Sequence, residues 1–134
     1  MTMRIVTAAA LYFGSVFALG FGLGVLRTLA LAAAPDVSRL QAVLIELPVM
    51  VAASWFACAY VVRRCSVPTT VAARIAMGGG AFLLLAFAEL MLAVGLVGLT
   101  PAEHFESYRE PSHALGLMAQ IAFGLFPLIQ STRR

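Results

Sequence analysis

The chain has 134 residues, 62% of them hydrophobic and 11% charged, with a formal net charge of +3. Soluble domains carry about 25% charged residues, so a soluble enzyme is excluded. A nucleic-acid-binding module is excluded too, because the arginines are scattered at helix ends and form no basic face. With a mean hydropathy of +0.97, the composition describes a single all-α domain over residues 1–134, an integral membrane protein whose main partner is the lipid bilayer.

A spanning helix needs about 20 mostly apolar residues. The first such run is Ile5–Leu26, with an apolar tail, Thr28–Ala34, beyond Arg27. Leu31–Ala34 has the small-residue look of a signal cleavage site. The run before Arg27 is too long for a signal core, however, and Pro35 would follow the cut, so the reading is a retained helix. The second run is Leu40–Val62, with Asp36 placed to cap it. Pro48 lies inside it and cannot donate to the carbonyl of Leu44, which predicts a kink beside Glu46. Val67-Pro68-Thr69-Thr70 breaks the chain before the third run, Ile75–Leu99.

Thr100-Pro101-Ala102-Glu103 has capping-box form with Pro at the first helical position. It predicts a short helix over Pro101–Arg109, ended by Pro111, with Phe105 and Tyr108 on one face at the membrane surface. The fourth run, Ala114–Ile129, is short for a span, and Pro127 is expected to loosen its far end. The architecture read from the sequence is therefore a four-helix transmembrane bundle with an interfacial helix between the third and fourth spans.

Arginine placement sets the orientation. Arg4, Arg63, Arg64, Arg74, Arg133 and Arg134 fall on one side, Arg39 and Arg109 on the other, with Arg27 near the latter. Both termini are then cytoplasmic. Nine Arg and no Lys, with abundant Ala and Gly, point to a GC-rich bacterial genome and hence a bacterial inner membrane.

Glu89 is the one charge between Ile75 and Leu99, and no sliding of the helix brings it to the surface. Such a carboxyl faces a protein interior or a watery cavity. At 1.5 Å per residue, Arg27, Glu46 and Gln120 also fall in the outer half, one on each remaining helix. Small residues share their faces: Gly78 below Glu89, Gly116 and Gly124 beside Gln120, Gly20 below Arg27. The expected pairing is Arg27 with Glu46, leaving Glu89 without a basic partner and Gln120 as contact between helices. Glu89, Glu46, Arg27 and Gln120 are thus the candidate proton, ion or substrate site.

Other groups carry less. His104 and His113 read as part of a solvated acidic loop with Glu103, Glu106 and Glu110, since their spacing matches no metal-ligand pattern. Cys58 and Cys65 read as free thiols. No metal or cofactor motif is present. An enzyme reading would rest on Glu46 and Glu89 alone as acid and base, with no nucleophile motif.

Gly20-Phe21-Gly22-Leu23-Gly24-Val25-Leu26-Arg27 resembles the Gly-rich segment ending in Arg of the small fluoride-channel family, which are also four-helix proteins. That family carries the segment early in its first helix and a Thr-Thr-Phe-Ser-type motif in its third. Here Arg27 is late and the third helix reads Gly78-Gly79-Gly80-Ala81-Phe82, so no family is assigned.

The expected function is transport or permeation through a buried protonatable carboxylate. The alternative is a non-catalytic accessory or assembly subunit of a larger membrane complex. Four short helices enclose little volume, so a homo-oligomer or a complex is expected in either case.

Overall fold

The computed structural model describes residues 2–132; Arg133 and Arg134, which enter the orientation argument, lie outside the described residues. Five α-helices follow in order: α1 Thr2–Ala33, α2 Arg39–Arg64, α3 Val71–Leu92, α4 Pro101–Glu106 and α5 Pro111–Ser131. A π-helical turn, Ala93–Val97, extends α3, and a 3₁₀ turn, Ser107–Arg109, extends α4. Four of these helices are long and apolar enough to cross a membrane: α1, α2, α3 with its π turn, and α5.

Several boundaries differ from the sequence reading, each for a local reason. Arg27 does not interrupt the first helix. Apart from Thr28, Leu26 to Ala33 are good helix formers, and the helix stops only before Pro35. At about 1.5 Å per residue, the 32 residues of α1 exceed the roughly 30 Å hydrocarbon core. The cap of α2 is Ser38, not Asp36. Ser38 Oγ accepts from the Gln41 N–H, and the Gln41 side chain accepts in return from the Ser38 N–H.

α3 begins at Val71, four residues earlier than expected, because Thr70 Oγ1 accepts from the Ala73 N–H. Its regular part stops at Leu92, where the backbone widens into the π turn and closes on Gly98 at φ 81°. α5 starts at Pro111, whose fixed φ suits the first helical position. The fourth span is therefore 21 residues and not short.

Neighbouring helices pack in the order α1–α2–α5–α3, with α3 also against α1. Connectivity makes α1/α2 and α3/α5 antiparallel pairs. The core lies at the end of the molecule that carries the termini, around Tyr12, Cys58, Met77, Ala81 and Phe123. The tightest crossing joins α3 to α5. A Cβ at Gly78 would fall on the Gly124 carbonyl, and one at Gly124 would meet Phe82 Cβ at 3.3 Å. Glycine at both positions lets the backbones touch.

Pro127 does not fray α5, which continues to Ser131. Lacking an N–H, it leaves the carbonyl of Phe123 without its helical donor. The Tyr12 hydroxyl from α1 takes that place at 2.7 Å, and the Tyr12 and Phe123 rings stack at 4.1 Å. Arg74 is the second departure at this end. Sequence places it among the surface arginines, yet it is 1% exposed. Its Nε donates to the Pro68 carbonyl at 2.9 Å and its Nη1 to the Pro127 carbonyl at 3.1 Å. Arg74 thus joins the α2–α3 turn to the end of α5, where the helix dipole favours a cation.

Candidate functional site

At the opposite end, capped by α4, the four long helices part and enclose a cavity of about 580 Å³. Helix crossing explains its position. α3 and α5 touch at Gly78 and Gly124 and α1 meets α3 at Ala9 and Gly80, all on the far side of Glu89 and Gln120. Beyond these contacts, larger residues such as Phe17, Leu85, Leu92 and Phe123 hold the backbones apart and line the space.

All four residues singled out from the sequence line this cavity: Arg27, Glu46, Glu89 and Gln120. The structure joins them as two pairs. Arg27 Nη1 donates to Glu46 Oε2 at 2.5 Å, bridging α1 and α2. Both side chains are largely withdrawn from solvent, at 27% and 16% exposure, so each charge meets its partner where water is scarce. Gln120 Nε2 donates to Glu89 Oε1 at 2.5 Å, bridging α5 and α3. The second oxygen of Glu89 accepts no hydrogen bond among the described residues, nor is it sealed in protein. Gln120 Oε1 is buried without a partner among them.

The capped end adds groups that sequence reasoning set aside. His104 is buried rather than solvated. Its Nε2 lies 3.3 Å from the Tyr108 hydroxyl. The expected shared face of Phe105 and Tyr108 is therefore split. Phe105 is exposed, while Tyr108, one turn after His104, turns inward with it. His113, at the start of α5, has Nδ1 3.2 Å from Glu110 Oε2, though without hydrogen-bond geometry.

His104, Tyr108 and His113 all line the cavity with Glu89, and both histidines lie close enough to act electrostatically on its carboxyl. Burial, and then the negative charge of Glu89, push the Tyr108 phenol above its usual value. The spacing of four between His104 and Tyr108 was the available sequence signal, but it fixes a shared face and not the direction in which that face points. Among the described residues, no three His, Cys, Asp or Glu side chains gather as a metal-binding group.

The rim has its own character. The exposed lining residues are mostly apolar: Phe21 and Val25 of α1, Leu96 and Val97 of the π turn, with Thr28 and Arg39 as polar exceptions. The π turn thus sits at the cavity edge, a position such turns often take at functional sites. The arrangement offers an apolar recess with polar groups along its inner wall. It lets a carboxyl be met from one side by an amide and from the other by whatever enters. No protein-family model matches the sequence, and neither a characterised protein nor a solved structure is similar to it.

Proposed function

We propose that this chain is a small membrane transport or permeation protein, with Glu89 as its protonatable centre and the cavity as its solute site. One observation carries the reading. The carboxyl of Glu89 faces a sizeable cavity towards the Val97 end of the third span and has an amide, not a cation, for its partner. One oxygen of this carboxyl is held by Gln120, and the other has no donor among the described residues. Here one remains open, and a carboxyl able to take and release a proton is what a proton-coupled site needs. Glu46, matched to Arg27, is the second carboxylate and ties α1 to α2 on the facing wall.

In this reading the four long helices form a bundle across a bacterial cytoplasmic membrane, with both termini cytoplasmic. Arg4, Arg63 and Arg64, exposed at the end that carries the termini, support that side as cytoplasmic. Buried Arg74 no longer counts as a surface charge. The capped end then faces outward, and the cavity lies in the outer half.

The test is proton-coupled flux in liposomes. Wild-type protein is expected to dissipate an imposed pH gradient or to exchange solute against it, and Glu89→Gln to abolish this while keeping its helical content. Normal flux from Glu89→Gln protein defeats the reading.

One observation favours the accessory-subunit alternative. A methyl group added at Gly14 or Gly22 would have nothing within 4 Å among the described residues, and with exposed Ala18 these glycines form a small-residue stripe on α1. Small residues of this kind let helices of different chains approach. Native purification separates the two: a stoichiometric larger partner favours the accessory role, and a stable homo-oligomer favours transport.

A further inference from the structure

We infer that the cavity takes a lipophilic ammonium, an amine head on an apolar or aromatic body, which enters between α1 and the π turn and seats its charge against the open oxygen of Glu89. This deepens the transport reading and rests on it.

Three features of the cavity agree on this ligand. The first is the charge pattern. Arg27 and Glu46 satisfy each other, whereas Glu89 has no cation within ion-pair distance among the described residues. When ionised, it is a charge without an ion-pair partner in a largely apolar recess, which is costly unless a cation joins it. The second is the hydrogen-bond pattern. Gln120 supplies a donor to one oxygen of Glu89, and the other oxygen still needs one. An N–H of an ammonium meets both needs at once, and the bond is charge-assisted. An alcohol would meet only the second.

The third is the wall and its mouth. Phe17, Phe21 and Phe123 line the space, and aromatic faces attract cations most strongly where water is excluded. Phe21, Val25, Leu96 and Val97 form an apolar, exposed edge, so a ligand arrives from hydrocarbon and keeps its body there. A volume of about 580 Å³ lies within the ordinary range for small-molecule sites.

A proton on Glu89 and an ammonium against it exclude each other, so binding weakens as pH falls. The other titratable and charged groups that line the cavity with Glu89 are Arg27 of α1, Arg39 and Glu46 of α2, His104 of α4, Tyr108 of the 3₁₀ turn and His113 of α5. An alkylamine stays charged throughout, with a pKa of about 10.

The experiment is calorimetric titration of phenylbutylammonium into the protein in lipid nanodiscs, with empty nanodiscs subtracted, from mildly acidic to mildly alkaline pH. The expected result is one saturable site, affinity falling on acidification, and a loss of about tenfold or more in Glu89→Gln. Equal affinity in Glu89→Gln, or equally tight binding of neutral phenylbutanol, overturns the inference. If Glu89→Gln does not fold, the wild-type profile decides: affinity that does not fall in acid overturns it as well. Saturable amine binding without flux in liposomes leaves this inference standing and removes transport. Glu89-dependent proton flux without amine binding removes this inference alone.

Discussion

At the scale of single residues, the informative contacts repair what a proline breaks or a helix cannot supply. Tyr12 is the clearest case, since its hydroxyl replaces the N–H that Pro127 lacks. Tyr12→Phe leaves a buried carbonyl unsatisfied and is expected to cost about 1–3 kcal/mol, read as a lower unfolding temperature in detergent. Adding Pro127→Ala restores a backbone donor to the Phe123 carbonyl, so the double variant should recover much of the loss.

Tyr108 offers a pH signature. Burial, then the charge of Glu89, hold its phenol above the ordinary value of about 10. The folded state therefore keeps that proton longer than the unfolded chain. Its contribution to stability is complete below the unfolded value and lost as pH rises through the folded one. The ultraviolet difference between native protein and Tyr108→Phe should show a phenol ionising later than free tyrosine, and Glu89→Gln should bring it earlier.

At the scale of elements, the α3–α5 crossing sets the depth of the cavity. Gly78 and Gly79 are neighbours in sequence with opposite surroundings. A methyl at Gly78 meets the α5 backbone at Gly124, while one at Gly79 has nothing within 4 Å. Gly78→Ala is expected to destabilise by about 1–3 kcal/mol through overpacking. Gly79→Ala should stabilise by up to about 1 kcal/mol through helix propensity. Thermal unfolding of the two variants side by side checks the sign. The Gly-Gly-Gly run could be read as small, but not which of its members meets another backbone. That depends on the rotation of α3, which its apolar residues on nearly every face leave undetermined.

At the scale of the whole molecule, one end is packed and the other hollow. Cys58 is buried in the packed end and Cys65 is partly open at its edge. A membrane-permeant maleimide is expected to label native protein at Cys65 and to reach Cys58 only after unfolding in denaturing detergent, as counted by intact mass. Double labelling of native protein would show that the core around Tyr12 and Met77 is loose.

Length and hydropathy were enough to find four helices able to span, because about 20 apolar residues are legible without any knowledge of neighbours. Capping chemistry placed α4 from Thr100 to Glu103 alone, since both partners of the box lie within four residues. Arg27, Glu46, Glu89 and Gln120 were also legible, as a charge or amide in an apolar run stands out wherever it points. Most of their partners were not. The bond of Glu89 to Gln120, the burial of Arg74 and the inward turn of His104 join segments far apart in sequence or depend on which face of a helix turns inward. An almost uniformly apolar chain carries little periodicity to say which face that is. Only the packing of backbone on backbone at Gly78 and Gly124 decides it.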